Sequence, residues 1–408
     1  MNMNRAGLSD KDRNQLQVLN ALIGSREISA IDVTAKTKLS PATVSRIFKS
    51  LQEKDLIRYI GKEKTGKGRS PELFCFNGEY GYLLHYNITP MVVYGYIANL
   101  NGTVLGRYSV KYDPQGTLEQ LLVILENIKN ELLRDRNQRN KGILAAGFAV
   151  PGVINKNQRT IHTIPDVCML SDTKLIDYAE RILGVPVIAN NVSWLSAVGE
   201  KAEVYPFVEN LVYIMLTSSM GIGMGVIVNN KLVTGNKNYA GEIGQTASLG
   251  TRSMEEYISG KGQVEHLAGL QMLIEKAQSA LAEGKASILK NLMEERGEEK
   301  ITLALLEEAA KHHDKDIEII LEETIKMWAM LAINVDLMIN PEIIVLGGSI
   351  SKENQYICNA LDRQFSQLGL FKPEIRYSIC GENAQLLGGI QMLKEYVHDN
   401  IILQEVIQ

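Results

Sequence analysis

The chain has 408 residues, more than one ordinary domain needs, and its length predicts two or three domains. Hydrophobic residues make up 45% and charged residues 22%, which is typical of a globular protein and excludes a disordered one. No apolar run approaches the roughly 18 residues of a membrane span, and the polar N-terminus lacks the apolar core of a signal peptide. The four cysteines lie far apart: Cys75, Cys168, Cys358 and Cys380. These features predict a cytoplasmic protein without disulfides and without a cysteine-rich metal site.

The charge is distributed unevenly along the chain. Residues 1–75 contain 14 Lys and Arg against 8 Asp and Glu, a net charge of +6, so the remaining residues carry −10. A basic segment joined to an acidic body is typical of a nucleic-acid-binding head attached to a separate sensor or enzyme. Many solvated helices are also mildly basic, so the charge by itself leaves both interpretations open.

The first helices of a winged helix-turn-helix are predicted within residues 1–78. Apolar residues at helical spacing predict a helix over 10–23. Ser29 is a good N-cap, and Asp32 in the first turn favours the positive end of the dipole, so a short second helix is expected to run to residue 35. A four-residue turn is expected at 37–40.

A third helix is predicted to begin with Ser40 as N-cap and Pro41 as the first helical residue. Its apolar residues recur at helical spacing and define a core face: Val44, Ile47, Phe48 and Leu51. The opposite face carries small, hydroxylated and basic side chains, which the major groove of DNA admits. We therefore expect DNA contacts from the start and outer face of this helix, at Ser40, Pro41, Thr43, Ser45, Arg46 and Lys49.

Two strands are predicted after this helix, over 56–60 and 73–76. The glycine-rich segment 61–70 between them carries four basic residues, and we expect Lys64, Lys67 and Arg69 to contact phosphates or the minor groove. The alternative for this region is a helical protein-interaction module with a solvated basic loop. The order of two helices, short turn, Ser-Pro start and basic hairpin favours DNA.

From residue 79 onward, strands alternate with helices, which predicts an α/β body with covered sheets. The body is too long for one lobe, so we divide it into lobes at 79–192 and 193–408, with the C-terminal helix returning to the first. Predicted strands are 83–88, 92–98, 103–112, 143–150, 185–189, 211–217, 225–228 and 343–346. Predicted helices are 118–133, 172–183 and 192–200, followed by a mostly helical region over 257–336. The segment before residue 225 is expected to be a glycine-rich turn.

Five short segments of the body occur in an order and at separations that resemble the ROK family. They are 147–152 (GFAVPG), 187–191 (VIANN), 221–225 (GIGMG), 241–245 (GEIGQ) and 340–348 (NPEIIVLGG). The resemblance covers nearly the whole chain, and the family contains both sugar kinases and winged-helix repressors. It implies an α/β fold in which the N-terminal winged helix-turn-helix is followed by a two-lobed, actin-like (ribonuclease-H-like) ROK body with a cleft between the lobes.

Two departures from the kinase pattern bear on catalysis. The resemblance implies an Asp-x-Gly-Gly-Thr phosphate loop where this chain has NITPM at 87–91, with Pro90 removing an N–H donor. It also implies a catalytic Asp where this chain has Asn191. A carboxamide cannot accept the proton of the attacking sugar hydroxyl, and losing a positioned base commonly costs ~10²–10⁴-fold in rate. We therefore expect no catalytic residues and no enzymatic activity.

A third departure concerns zinc and the ligand. Where the family has a His followed by a cysteine-rich zinc loop, this chain has Gln245 and no cysteine over 246–254, so neither zinc nor another cofactor is expected. Glu242 and Glu255 match acidic residues that contact sugar hydroxyls in the family. Together with Asn190, Asn191 and Gln245 they form the predicted ligand-binding set for a small carbohydrate or its phosphate.

These expectations predict a sequence-specific DNA-binding repressor of carbohydrate-related genes. Its expected partners are a double-stranded operator, a small carbohydrate effector and further copies of itself in a homodimer or homotetramer, without a membrane. One alternative is an active sugar kinase with a DNA-binding head. A second is a regulator that no longer binds sugar and acts constitutively or through a protein partner.

Overall fold

The computed structural model describes residues 9–407 except 64–69, 135, 137–140, 156–157, 163–172, 218–220, 248–252, 261–262 and 367. A small N-terminal head precedes a body built on two five-stranded sheets. In the described part of the chain, no helix is both long and apolar enough to cross a membrane.

The head contains three helices and a three-stranded sheet. Its elements are α1 (Asp10–Ile23), β1 (Ile28–Ser29), α2 (Ala30–Thr37), α3 (Pro41–Glu53), β2 (Ile57–Lys62) and β3 (Glu72–Phe76), with strand order β1-β3-β2. The predicted winged helix-turn-helix is confirmed. Its turn spans 38–40, one residue shorter than expected, because α2 continues to Thr37 and Lys38 takes a left-handed conformation at φ 58°.

Local caps explain where the helices of the head begin. The Ser29 hydroxyl accepts a hydrogen bond from the Asp32 N–H (3.2 Å), and the Asp32 carboxylate accepts one from the Ser29 N–H (3.1 Å). This reciprocal capping box satisfies two N–H groups that a helix start leaves free. In the core of the head, Phe48 packs edge-on against Phe74 with ring centroids 5.0 Å apart, which fixes α3 against β3.

The first sheet of the body has strand order β10-β7-β4-β5-β6. Its strands are β4 (Tyr82–Ile88), β5 (Val92–Asn99), β6 (Val104–Lys111), β7 (Ile143–Val150) and β10 (Val187–Asn191). One face packs on α4 (Leu118–Leu133) and α5 (Leu175–Leu183), and a small hairpin of β8 (Val153–Asn155) and β9 (Thr160–His162) follows β7.

Two predicted boundaries in this sheet region were wrong. The strand predicted at 185–189 runs over 187–191, because Pro186 has no N–H for the ladder and pairing with β7 starts at Val187. The helix predicted from residue 172 starts at Leu175, because Thr173 pairs with Ile161 as an isolated β-bridge. The shift of the strand places Asn190 and Asn191 inside β10, at its carboxyl end.

The second sheet has strand order β13-β12-β11-β14-β15 and a large helical layer. Its part of the chain contains α6 (Val192–Glu203), β11 (Leu211–Thr217), β12 (Gly221–Val228), β13 (Lys231–Leu232), α7 (Met254–Ile258), α8 (Val264–Ala268), α9 (Leu270–Ala282), α10 (Ser287–Arg296), α11 (Leu303–Lys311), α12 (Lys315–Ile339), β14 (Ile343–Gly348), α13 (Gln355–Phe365) and β15 (Ile375–Tyr377). Trp328 lies in the core of this layer, where its indole N–H donates to the Ala268 carbonyl (2.7 Å).

The glycine-rich segment 221–225 is part of β12, so the turn expected there was wrong. A Cβ on Gly223 would lie 2.1 Å from the Ser193 hydroxyl, and one on Gly225 would lie 2.5 Å from the Ala197 Cβ. The glycines therefore allow α6 to pack directly against the strand.

The C-terminal helices connect the body to the head. After α14 (Ala384–Val397), a π-helical turn at 398–402 leads into α15 (Leu403–Ile407). A Cβ on Gly388 would lie 1.8 Å from the Leu195 carbonyl oxygen, so α14 and α6 are in backbone contact. At the other end, Leu403 and Val406 are buried in the same apolar cluster as residues of α1, and Lys54 of the head donates to the Glu405 carbonyl.

Candidate functional site

The outer face of α3 is the first candidate site. Ser40 caps the helix by accepting from the Thr43 N–H (3.2 Å), and the Ser40 and Thr43 hydroxyls lie 2.8 Å apart. Ser45, Arg46 and Lys49 are exposed and share one face, since residues three and four apart on a helix are neighbours. Pro41 is also exposed, at the first helical position. The structure therefore groups all six predicted α3 residues on the start and outer face of one rigid helix.

The wing is described only at its base. β2 and β3 pair antiparallel from Ile57–Phe76 to Lys62–Glu72, with a bulge at Tyr59 and Gly61. The predicted contacts Lys64, Lys67 and Arg69 lie outside the described residues. The bulge increases the local twist of the described base of the wing.

The second candidate site begins at the junction of β10 and α6. Asn191 is the N-cap of α6: its side-chain oxygen accepts from the Ser193 N–H, and its NH₂ donates to the Gly152 carbonyl, both at 2.8 Å. Asn190 has 6% of its surface exposed and lines a small void with His85 and Leu195. Both side chains are thus enclosed in this structure, and Asn191 fixes the start of α6 to the segment after β7.

Glu242 and Gln245 lie in a segment that packs beside the start of α6. The Trp194 indole N–H donates to the Ala240 carbonyl (2.9 Å), which places this segment next to α6. Gly241 has φ 93° and approaches β12 so closely that a Cβ would lie 1.9 Å from the Met224 carbonyl oxygen. This position requires glycine, and the strand contact fixes Glu242 at the start of a 3-10 helix over Ile243–Gln245.

Glu242 is accompanied by a second carboxylate that the sequence did not reveal. Burial and then the negative charge of Glu265 raise the pKa of Glu242 above its ordinary value, and burial also raises the pKa of Glu265. Glu265, on α8, accepts a hydrogen bond from the Ile222 N–H (2.6 Å), against Gly221 and Gly244. In the sequence it looked like an ordinary helix glutamate, because only the tertiary contact with these glycines buries it.

Glu255 differs from the other predicted ligand residues because its side chain is exposed, in the first turn of α7. Hydrogen bonds from its own backbone N–H and from Ser253 lower its pKa. α7 itself lies beside the Glu242 segment, since the Tyr257 hydroxyl donates to the Gln245 carbonyl (2.8 Å). The structure therefore brings Asn191, Glu242 and Gln245 into one region, encloses Asn190 and leaves Glu255 on the surface.

A polar cavity of about 610 Å³ lies between the two lobes near this region. The β8–β9 hairpin contributes Asn155 and His162, and the loop at 234–239 contributes Lys237 and Tyr239. Buried Asn238 connects the two walls by donating to the Ile154 carbonyl (2.8 Å). The sequence did not indicate Asn238, whose left-handed backbone (φ 58°) and contact with Ile154 arise only from tertiary structure.

The turn between β4 and β5 occupies the position where the resemblance implied a phosphate loop. The Thr89 N–H donates to the Val92 carbonyl (3.1 Å), and the Val92 N–H donates to the Thr89 hydroxyl (3.2 Å). The Tyr112 hydroxyl donates to the Thr89 carbonyl (2.6 Å), and Pro90 has no N–H. The Thr89 and Val92 N–H groups are thus used within the turn, whereas a phosphate site needs several N–H groups directed at the ligand.

Within the described ranges, no three His, Cys, Asp or Glu side chains come together in a metal-binding arrangement. The sequence predicts that the zinc loop of the family is missing over 246–254. Residues 248–252 of this segment lie outside the described ranges.

Comparisons with known proteins agree with this architecture. The ROK family profile matches residues 93–395, and the MarR family profile matches residues 7–68. The chain is 24% identical over 391 residues to the xylose repressor of Caldicellulosiruptor bescii, covering 94% of this chain and 96% of that protein.

Two solved structures show the same fold. A ROK family transcriptional regulator described as a homolog of the E. coli MLC protein aligns with TM-score 0.75 at 19% identity, covering 97% of this chain and 99% of that one. A ROK family glucokinase from Streptomyces griseus, in complex with glucose and AMPPNP, aligns with TM-score 0.62 at 20% identity and covers 77% and 100%.

These matches define the class of protein as a winged helix joined to an actin-like body. The chain belongs to the ROK family and carries a MarR-type winged helix at its N-terminus. The family resemblance and the fold class expected from the sequence are both confirmed.

Proposed function

We propose that this chain is a sequence-specific, DNA-binding transcriptional repressor of carbohydrate-related genes that responds to a small sugar-type effector. It acts in the cytoplasm as a homodimer or homotetramer, because two winged helices must meet two operator half-sites. The observation that carries the proposal is the exposed basic face of α3 on a head whose core is continuous with the ROK body.

The DNA contacts divide into two kinds. Arg46 and Thr43, near the start of α3, read base edges, because the first turns of a recognition helix enter the major groove and Arg can bond guanine bidentately. Lys64, Lys67 and Arg69 of the wing contact phosphates or the minor groove. Base contacts set the specificity, and wing contacts set an affinity that is nearly independent of sequence.

The DNA assignment is tested with an operator chosen by binding selection from the promoters of sugar genes. Arg46→Ala is expected to lose about 1–3 kcal/mol on the operator and to relax its preference over random DNA. The matched control is Arg26→Ala, which removes the same charge from an exposed position of the head before β1. Wing substitutions are expected to weaken all sequences alike and to reduce the salt slope. Unchanged operator binding by Arg46→Ala contradicts the recognition-helix assignment.

We propose that the body binds its effector without catalysing phosphoryl transfer. Asn191 is a carboxamide whose oxygen and NH₂ are engaged as an N-cap and a tether, so it offers no base for the sugar hydroxyl. The turn at 89–92 offers no set of free N–H donors for phosphates. Glu242 remains as a hydroxyl-binding group beside the cavity between the lobes, with Asn190, Asn191, Gln245 and Glu255 completing the predicted set.

The effector site is tested by gel shift with sugars and sugar phosphates. Glu242→Ala is expected to remove the effect of the active compound on operator binding while leaving binding without effector unchanged, because the head does not contact Glu242. The control is Glu256→Ala, which removes a glutamate from α7, the helix that lies beside the Glu242 segment. An effector response that survives Glu242→Ala places the effector site elsewhere.

A further inference from the structure

A second and larger cleft, of about 810 Å³, lies between the two lobes on the side of the β4–β5 turn. Its walls come from β4, β5 and β6 of the first sheet, from β11 of the second, and from the start of α14. None of the predicted effector residues lines it, so it is distinct from the site at Glu242. Its volume is within the range of about 300–1,000 Å³ that is usual for small-molecule sites.

Two buried amide oxygens in this cleft have no hydrogen-bond partner among the described residues. They are the Oδ1 of Asn87, a residue with only 6% of its surface exposed at the end of β4, and the Oε1 of Gln385 in the first turn of α14. An unpaired buried acceptor costs about 1–3 kcal/mol, so two of them on neighbouring elements in the lining of one cleft call for donors from a ligand. Because an amide presents both an acceptor and donors, such a pair suits hydroxyl groups.

The sheet wall of the cleft is aromatic and neutral. Tyr94 and Tyr96 are two residues apart on β5 and therefore share a face, on which Ser109 is the cross-strand partner of Tyr94. Tyr94 has 37% of its surface exposed, so its ring is available to a ligand. The Tyr96 phenol is uncharged at neutral pH, and burial raises its pKa further above the ordinary value of about 10. Phenol rings pack against the apolar faces of sugar rings while their hydroxyls bond to polar groups.

The charges of the cleft cancel. Its described lining contains one cation, Arg107 on β6, and one carboxylate, Glu382 just before α14. In the β4–β5 turn, the Thr89 and Val92 N–H groups donate within the turn. The Gly348 and Ser349 N–H groups of the second sheet donate to the Tyr213 hydroxyl and the Leu216 carbonyl. Among the described lining residues, a polyphosphate would therefore find neither excess positive charge nor a set of free backbone donors.

We propose that this cleft is a second ligand site that binds a neutral, polyhydroxylated ring compound through Asn87, Gln385 and the Tyr94–Tyr96 wall. Two sources supply this chemistry, namely a neutral oligosaccharide and the ribose of an uncharged nucleoside. In both, adjacent hydroxyls bond to the two amides while the ring packs on the phenols. The site is separate from the effector site proposed above and does not depend on it.

The test is calorimetric titration of the full-length protein with neutral disaccharides (sucrose, maltose, cellobiose and xylobiose), with adenosine, and with Mg-ATP. We expect one of the neutral probes to bind, and its dissociation constant to rise at least about tenfold in Tyr94→Ala and in Gln385→Leu. Gln385→Leu removes an unpaired buried amide, so its thermal stability is not expected to fall below that of the wild type. The control Tyr178→Ala removes a tyrosine of similar exposure, 41%, from α5 outside the cleft and is expected to bind normally.

The identity of the bound probe assigns the source, since a disaccharide indicates an oligosaccharide ligand and adenosine indicates a nucleoside. Binding that survives Glu242→Ala but not Tyr94→Ala supports a second site, even where the effector assignment fails. The proposal is overturned if no neutral probe binds at millimolar concentration. It is also overturned if binding is lost in Glu242→Ala and retained in Tyr94→Ala, or if Mg-ATP alone binds.

Discussion

Replacing Asn191 with Asp supplies the residue type that the kinase pattern requires, and we expect this substitution not to create a kinase. In this structure the Asn191 oxygen accepts from the Ser193 N–H at 2.8 Å, and a carboxylate keeps that N-cap bond with a favourable helix-dipole contribution of about 0.3–1 kcal/mol. The NH₂ that donates to the Gly152 carbonyl is lost, which leaves that acceptor facing a carboxylate and costs about 1–3 kcal/mol. The net expectation for Asn191→Asp is a loss of about 1–2 kcal/mol in the free energy of unfolding.

Two measurements check this reasoning about Asn191. Urea unfolding is expected to rank the wild type above Asn191→Asp and Asn191→Asp above Asn191→Ala, because alanine loses both the cap and the tether. A coupled assay of sugar-dependent ATP hydrolysis is expected to stay at background for all three proteins, because the turn at 89–92 lacks the set of several N–H donors that a phosphate site needs. An Asn191→Asp protein more stable than the wild type contradicts the role of the Gly152 bond. Sugar-dependent turnover by the wild type contradicts the non-catalytic function.

Two further predictions concern pH and the C-terminal helix. His85 is buried, and neither of its ring nitrogens has a hydrogen-bond partner among the described residues. Burial lowers its pKa to about 4, so the unfolded chain, with a His pKa of about 6.5, takes up its proton first. The free energy of unfolding is therefore expected to fall as pH drops from about 6.5 toward 4, by at most about 1.4 kcal/mol per pH unit. Urea titrations of His85→Leu are expected to show a flatter dependence on pH. An unchanged pH dependence refutes the assignment of this effect to His85. Val406→Asp places a carboxylate in the apolar cluster that joins α15 to α1. Limited proteolysis is therefore expected to cut the head of this variant faster than that of the control Gln404→Asp, whose residue is exposed. Equal rates of cleavage contradict the packing of α15 on the head.

Features with a local cause could be predicted from the sequence. Ser40 followed by Pro41 marks the start of α3 because the N-cap bond and the fixed φ of proline act within one turn. The predicted bounds 118–133 of α4 agree with the structure for the same reason, since Thr117 and Gln120 form a capping box at its start. The family resemblance supplied the fold of the body and the position of the cleft.

Features that depend on contacts between distant segments could not be predicted in this way. The glycines at 221–225 were taken for a turn, because their role is to admit α6, and that packing has no local signal. Glu265 has the sequence setting of a surface helix residue, yet it accepts the Ile222 N–H in a buried site. The docking of α15 on the head joins residues more than 300 positions apart, and neither amphipathicity nor capping of α15 identifies its partner.

The packing of α6 offers a route by which the proposed effector site can influence the head. Asn191 holds one end of α6 at the candidate effector site, and buried Glu200 near its other end accepts hydrogen bonds from the Ser378 hydroxyl (2.7 Å) and the Ile379 N–H (2.8 Å), which precede α14. Between these points, a Cβ on Gly199 would lie 2.0 Å from the Ala384 carbonyl oxygen, so the backbones of α6 and α14 are in direct contact.

A displacement of α6 therefore has to move α14, since close-packed backbones transmit a shift that flexible side chains would absorb. α14 continues into α15, whose Leu403 and Val406 are buried against the head. An effector can use this connection only if it binds one arrangement of α6 more tightly than the other, and the same difference in free energy must then appear as a change in operator affinity. Weakening the α15 contact should consequently reduce the effector response without altering effector affinity in the absence of DNA.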